Sequence, residues 1–533
     1  MNAPILHGAE LACISVALAL LLCLGPTTSL GAVENAPSPE PIAGTWQGEF
    51  TIGDKPRPIA IEITRTPDGW TATYEGTDHQ RRNFKTAQVA GAHVRLTTSG
   101  GSFFDGTLSS ESLKGTYQHD ATRAGPFSLV RSAPPASQPN VVGAYGADGL
   151  VTYGIAMQNG ALFVGRPTDG WGRILHAQPD GSFTYGQTLL DQTAAVGRVR
   201  FGGDDTSRTM TIEEVGKPIF HGSRTAELAE EVSFASEGAR LAGTLYRPAG
   251  AGPFPAVVML HGSGPALRGD EPWLHTLVAD GFAVFTYDKR GCGKSTGGTW
   301  RASFDTYAKD ALAAVGLLGA RPEIDPAHIG LYGPSQGGYV GLLAASQSPA
   351  VRFVMIRSTS AVTPLVQEEY RMGKLLEIHG YPSSEIVAAQ EFVRAKFNAP
   401  LSGDWATYGA LAEKHRGAKW FDEVGGAPAK DHPAHEFWRL NGRFDPMPLV
   451  TGLTIPILWL TPEFDEAGPA RETVELLKRV EAELAHFVLP HANHGMLLAS
   501  GYEITEESLA KANGYTPDFL PTIRRWLANQ VQR

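Results

Sequence analysis

Cysteine is scarce in this chain, with only Cys13, Cys23 and Cys292 among 533 residues. The first two lie in an apolar run near the start, so removal of that run leaves one thiol and no intramolecular disulfide. Stability must then come from packing. Positive charge is also short: 45 Lys plus Arg face 55 Asp plus Glu, a net charge of −10. That balance excludes general binding to a phosphate backbone, and with it nucleic acid as a partner. No apolar run is long enough to span a bilayer. The run from Leu11 to Gly25 is about fifteen residues, where a spanning helix needs about twenty. Its length suits the core of a signal peptide, and Gly31 and Ala32 supply small residues for cleavage ahead of the Pro-rich stretch from Ala36 to Pro41. A basic segment before Glu10 is missing. The expectation is an exported protein, periplasmic or extracellular, with 1–32 removed and 33–43 a linker. Leu20 to Cys23 does not make a lipidation site, because Leu22 and not a small residue precedes Cys23.

Two further chemistries lack their residues. The run from Tyr287 to Ser295 has the look of a phosphate loop, but the glycine needed five positions before Gly293 is Asp288. Asp288 and Arg290 are expected instead to brace this loop as charge-paired structural groups. His432 with His435, and His491 with His494, have a spacing that suits a metal, yet no carboxylate or cysteine set completes either pair. No cofactor or metal is expected.

What is present divides by texture. Residues 44–131 read as short alternating runs separated by Gly, Asp, Pro and Ser, for example Thr45 to Phe50, Pro58 to Thr64 and Val89 to Thr97. Such runs predict antiparallel strands in a small barrel or sandwich. After a Pro/Ser linker at 132–139, residues 140–226 repeat the style in a second β domain, with Leu150 to Met157, Val196 to Phe201 and Thr209 to Glu214 among its strands. From 227 to 533 the pattern becomes apolar runs of strand length alternating with helical stretches. That pattern requires a mostly parallel sheet covered by helices on both faces. Its strands read as Ala256 to His261, Ala283 to Tyr287, Ile329 to Tyr332, Phe353 to Arg357, Ile455 to Leu460 and His486 to Leu489. Its helices read as Trp273 to Asp280, Ser303 to Gly319, Tyr339 to Ser348 and Arg471 to Leu484. Between about 363 and 453 the strand rhythm stops and helical spacing takes over, as in an inserted cap.

Gly333-Pro-Ser-Gln-Gly-Gly338 follows a short apolar strand and opens an apolar helix. This is the setting of a sharp turn that presents a serine, Ser335, and crowds out side chains at Gly333 and Gly337. A serine hydroxyl needs a histidine to take its proton and a carboxylate to orient that histidine. Ile455 to Leu460 runs into Glu463, Asp465 and Glu466, of which Asp465 is the expected acid. The last strand is followed by His491 and His494, of which His494 is the expected base, with Gly495 giving it room, and His491 the reserve. His261-Gly262-Ser263 ends an earlier strand and can aim a backbone N–H at an oxyanion. Ser263 and Gln336 are the expected donors, the latter because it opens a helix.

These motifs, in this order and with Asp288-Lys-Arg-Gly291 between them, make the stretch from about Glu227 onward resemble the α/β-hydrolase superfamily. Within it they look like the bacterial esterase and serine-aminopeptidase branch, described as dienelactone-hydrolase-like or acyl-thioesterase-like. The resemblance covers a little over half of the chain and implies an acyl-transfer serine hydrolase with no cofactor. One departure is at the acid turn, where relatives commonly carry glycine two or three residues before the acid and this chain has Thr461, Pro462 and Glu463. The β domains resemble lipocalin-like accessory domains of secreted bacterial hydrolases.

The expected fold is thus an α/β-hydrolase fold with a helical cap, preceded by two small antiparallel β domains. The expected reaction is cleavage of a carboxylic ester or related acyl bond, on a small molecule or a short peptide. Trp405, Tyr408, Trp420, Phe421, Phe437 and Trp438 are candidates to line the acyl pocket, or equally to form the cap core. Two rivals remain open. A serine aminopeptidase would need a carboxylate for the substrate's amino group, for which Glu368 and Glu369 are available; a catalytically silent binding protein would use the β domains to capture a ligand.

Overall fold

A computed structural model describes residues 42–52, 55–66, 69–75, 81–98, 102–109, 112–118, 124–132, 140–158, 161–178, 180–189, 195–269, 271–297, 302–480, 483–502 and 512–531. The signal-peptide and linker expectations for 1–32 and 33–43 lie almost wholly outside these residues. The chain divides into two compact units, one ending at Asn140 and one running from Val141 to Arg533.

The first unit carries nine antiparallel strands between Gly44 and Ser132 in one sheet, packed about a single core that includes Trp46, Ile61, Leu96, Phe104 and Leu129. The run expected as one strand from Val89 to Thr97 is a hairpin, Thr86–Ala90 and His93–Thr97, turned at Gly91 with φ 61°.

The second unit opens with a closed eight-stranded antiparallel barrel between Gly143 and Arg224. Its strands include Leu150–Gln158, Ala161–Gly165 and Thr209–Glu214, close to their expected bounds. Gly143–Ala147, Gly172–Ala177, Phe183–Tyr185, Gly197–Gly202 and Phe220–Arg224 complete it. This barrel, where the sequence predicts a second β domain, lies in the same compact unit as the α/β part.

The α/β part is built on eight strands: β1 (Glu227–Ser236), β2 (Ala239–Pro248), β3 (Phe254–Met259), β4 (Ala283–Tyr287), β5 (Ile324–Pro334), β6 (Phe353–Arg357), β7 (Ile457–Phe464) and β8 (Leu484–Asn493). Their order across the sheet is β1-β2-β4-β3-β5-β6-β7-β8. The first two pairings are antiparallel and every later one is parallel. The sheet is sandwiched, so its central strands are apolar throughout. Period-two alternation sends Ala256, Val258, Val354, Ile356, Ile457 and Trp459 to one core, and Val257, Met259, Phe353, Met355, Leu458 and Leu460 to the other. Each such Val, Leu or Ile stabilises the fold by about 1.5–3 kcal/mol.

Helices α1 (Leu274–Ala279), α2 (Phe304–Gly319) and α3 (Gln336–Gln347) follow β3, β4 and β5. α2 is N-capped by Ser303, whose Oγ accepts from Thr306 N at 3.0 Å. Between β6 and β7 stand five helices, α4 (Pro364–Ile378), α5 (Ser383–Ser402), α6 (Trp405–His415), α7 (Ala434–Asn441) and α8 (Met447–Gly452), where the sequence predicts a cap. α9 (Ala470–Leu477) precedes β8, and α10 (Phe519–Gln530) packs its Phe519, Ile523 and Leu527 into the second core. Among the described residues no helix is long and apolar enough to cross a membrane.

Candidate active site

The turn from β5 into α3 is strained. Ser335 has φ 50° and ψ −120°, a conformation costly for any residue with a Cβ. Neighbouring backbone comes so close that a Cβ on Gly333 would stand 2.2 Å from Gly337 O, and one on Gly337 would stand 2.9 Å from His261 O. The turn is held from β6. Ser335 N–H donates to Arg357 O at 2.7 Å, and Thr359 Oγ1 donates to Ser335 O at 2.6 Å. Gly338 must also be small, because a Cβ there would meet that same Thr359 Oγ1 at 2.2 Å.

The three acid candidates are separated by what they hold. Asp465 Oδ1 lies 2.8 Å from His494 Nδ1 and also accepts from Ala467 N and Gly468 N at 3.0 and 2.8 Å. Glu466 Oε2 accepts the backbone N–H of His494 at 3.0 Å, and Glu463 Oε2 accepts that of His491 at 2.8 Å. Asp465, Glu466 and His494 are buried, whereas His491 is exposed, and among the described residues no carboxylate bonds its ring. Burial alone would disfavour charge on His494, but the Asp465 carboxylate, its hydrogen bond and the Glu466 charge outweigh that and raise the imidazole pKa above its ordinary value. Glu466 itself is pushed up, chiefly by burial.

Ser335 and His494 are each held by the backbone carbonyl, through two adjacent side chains just past β6. Thr359 holds the carbonyl of Ser335 as above, and Ser358 Oγ donates to His494 O at 2.6 Å. Neither side chain stands out in the sequence. Their role shows only once β6 is placed between β5 and β7, the sheet neighbours that carry the serine and the acid.

The loop His261-Gly262-Ser263 lies against the serine: a Cβ on Gly262 would be 3.9 Å from Ser335 Cβ. Among the described residues neither the Ser263 nor the Gln336 backbone N–H donates to a backbone acceptor outside regular strands and helices. His261 is fixed by its Nε2–H, which donates to Tyr287 O at 2.6 Å. Burial, aided by the nearby Lys289 charge, pulls its pKa down to about 3, so the ring stays neutral.

The residue that fixes this loop was hidden between two expected braces. Lys289 is buried and donates through Nζ to Gly262 O at 2.8 Å and Gly264 O at 2.9 Å. Its neighbours do brace the chain, but not through each other. Asp288 accepts the backbone N–H of Arg268 and of Lys294 at 3.1 and 2.8 Å, while Arg290 pairs with buried Asp310 on α2, Nε to Oδ2 at 3.0 Å.

In the cap, Tyr408, Trp420 and Phe421 belong to the cap's own core, with Trp405 and Trp438 packed against it; Phe437 packs on the sheet core instead. Glu368 is bound to Arg371 at 2.7 Å and Glu369 to Arg394 at 2.9 Å. Tyr370 on α4 reaches the site and donates its hydroxyl to Asp465 O at 3.2 Å. Among the described residues no three His, Cys, Asp or Glu side chains converge as a metal site would require.

Residues 237–496 match the sequence profile of the X-Pro dipeptidyl-peptidase (S15) family. The chain is 25% identical over 295 residues to thiohydrolase aneE of Aspergillus aculeatus, covering 51% of this chain and 89% of that protein. It is 27% identical over 300 residues to esterase EstD of Thermotoga maritima, covering 54% of this chain and 65% of that one. A solved structure of DcsB with its substrate analogue superposes with a TM-score of 0.39 at 18% identity, covering 57% of this chain and 100% of that one. The profile match covers the sheet from β2 through β8, and together with the relatives it marks the chain as an esterase-like protein of the α/β-hydrolase superfamily.

Proposed function

We propose that this protein is an exported serine hydrolase that cleaves a carboxylic ester or related acyl bond through an acyl-enzyme. The observation that carries this reading is the 2.8 Å contact between Asp465 and His494 Nδ1, in a site whose strained Ser335 is held by the same β6 end. With Nδ1–H donated to Asp465, Nε2 is left as the basic nitrogen to take the Ser335 proton. Ser335 Oγ attacks the acyl carbon, and the oxyanion that forms is met by the N–H groups of Ser263 and Gln336. His494 returns its proton to the leaving group, then activates a water that releases the acid and restores the serine. The substrate is a small ester or acyl compound.

A peptidase reading has one specific support, the match of 237–496 to the S15 family. Against an aminopeptidase stands the neutralisation of Glu368 and Glu369 by arginines, which leaves neither carboxylate unpaired for a substrate ammonium.

The test is hydrolysis of p-nitrophenyl acetate and butyrate beside an X-Pro p-nitroanilide, by the wild type and by Ser335→Ala. Ester turnover that falls by about a thousandfold or more in the variant is the expected outcome. Turnover of the anilide alone moves the assignment to the peptidase. Equal ester rates in both proteins remove Ser335 as nucleophile.

A further inference from the structure

The loop that carries His494 leaves β8 and makes a tight reversal: Ala499 N–H donates to His491 O at 2.7 Å, and Met496 adopts φ 63°. Asn493 fixes the reversal from inside, its N–H donating to Leu497 O at 3.1 Å, its Oδ1 accepting from Leu497 N at 2.9 Å and its O accepting from Met496 N at 2.8 Å. A second strip of chain, residues 512–516, does so from outside. Thr516 N–H donates to Met496 O at 2.8 Å and Thr516 Oγ1 to Pro490 O at 2.9 Å, so one residue ties both sides of His494. Leu498 N–H donates to Gly514 O at 2.9 Å, and Leu497 bridges to Tyr515.

The other edge of this strip is bound by the barrel. Leu189 N–H donates to Ala512 O at 2.7 Å, Gly172 N–H to Asn513 O at 3.3 Å and Tyr515 N–H to Gly170 O at 2.8 Å, while Trp171 bridges to Gly514. The fit leaves no slack, since a Cβ on Gly514 would stand 2.2 Å from Gly170 O. At the centre of this seam is Arg173, a buried barrel residue. Its guanidinium donates to Gly172 O, Gly186 O and Gln187 O within the barrel, and to Asn513 O at 3.1 Å and Asn513 Oδ1 at 3.2 Å across the seam. A planar fork of five N–H groups can join several carbonyls at fixed angles, which a lysine cannot do.

We infer that the barrel is a working part of the hydrolase, with Arg173 and Thr516 as positioning residues that hold the His494 loop through the strip at 512–516. This rests on the serine-hydrolase reading for its kinetic consequence, but not for its structural one. Catalytic geometry is sensitive to displacements of about 1 Å, so slack in this loop lowers the chemical step more than substrate binding. The barrel thereby has a role in catalysis through the His494 loop.

The experiment compares full-length Arg173→Met, Thr516→Val and Thr516→Ser with the wild type, and with Arg200→Met as control. Arg200 is an exposed barrel arginine paired with Glu213 away from the seam. Amide hydrogen exchange by mass spectrometry reads the His494 loop directly. The expected result is faster exchange across 490–498 in Arg173→Met and Thr516→Val, with the wild-type pattern kept in Thr516→Ser and Arg200→Met. In the same proteins kcat for the ester should fall about tenfold with KM within twofold, and the Ser hydroxyl at 516 should restore it. Should Arg173→Met fail to fold, Thr516→Val against Thr516→Ser decides alone. Unchanged exchange across 490–498 in the folded variants overturns the inference, as does a KM effect with kcat intact. If the wild type turns over no ester, the serine-hydrolase reading fails while the exchange data still decide the seam.

Discussion

A carboxylate oxygen that accepts two backbone N–H groups and one imidazole N–H has almost no freedom to turn. Asp465 is in that position, and it fixes His494 as the Nδ1–H tautomer. Asp465→Asn presents either an amide oxygen without charge or an NH2 that cannot accept from Nδ1–H. We expect kcat to fall by about 10³ to 10⁴ with the fold intact, measured by ester turnover beside thermal melting. Glu466 acts more gently. It holds the His494 backbone and its charge helps raise the imidazole pKa. Since His494 must be neutral to accept a proton, kcat/KM rises with pH through that pKa and then levels. The raised value places the midpoint of the acid limb above the ordinary histidine value of about 6.5. Glu466→Gln removes one charge that favours the imidazolium, so the acid limb should move to lower pH; a limb that stays or moves upward contradicts the assigned electrostatics.

At the scale of elements, the junction of β5 and α3 depends on the absence of side chains. Gly333→Ala would put a methyl carbon 2.2 Å from Gly337 O and 2.6 Å from Gly338 N, both main-chain atoms that cannot swing away. The expected loss is about 2–4 kcal/mol of stability, read as a lower denaturant midpoint, with labelling of Ser335 by a fluorophosphonate slowed in whatever remains folded. These glycines were legible because the strand, turn and helix around them each leave their own signal. So were β3 to β7, whose runs are apolar on both faces, and the cap, where strand rhythm stops. Other elements left weaker signals. β1 exposes charge at Glu230 and Glu231 and reads as surface chain. α9 stops at Leu477 although helical spacing continues to Leu484, because the chain must straighten there to enter β8. Lys289, Ser358 and Thr359 act on backbone carbonyls of distant segments, so no local pattern marks them. Arg173 is hidden for the same reason, 340 residues from the asparagine it holds.

For the whole molecule, the division into two compact units falls near Asn140 and not at the barrel's far end, and this separates two accessory β regions that look alike in sequence. The nine-stranded sheet between Gly44 and Ser132 has its own core around Trp46 and Leu129. The barrel has a core of its own as well, around Tyr145, Val164 and Val199, yet it shares its seam with the strip behind His494. Two truncations therefore have opposite expected outcomes. A protein of residues 141–533 keeps every contact of the candidate site described above, and should fold with kcat and KM for the ester within about twofold of full length. A protein of residues 227–533 exposes the edge of 512–516, leaves Ala512 O and Asn513 O without their barrel donors, and removes Trp171 from Gly514. Backbone groups stripped of partners at a formerly buried seam destabilise the segment that carries them. The shorter protein should lose at least tenfold in kcat and exchange amides across 490–498 faster, or aggregate; equal activity in both truncations would show that the catalytic histidine needs no support from the barrel.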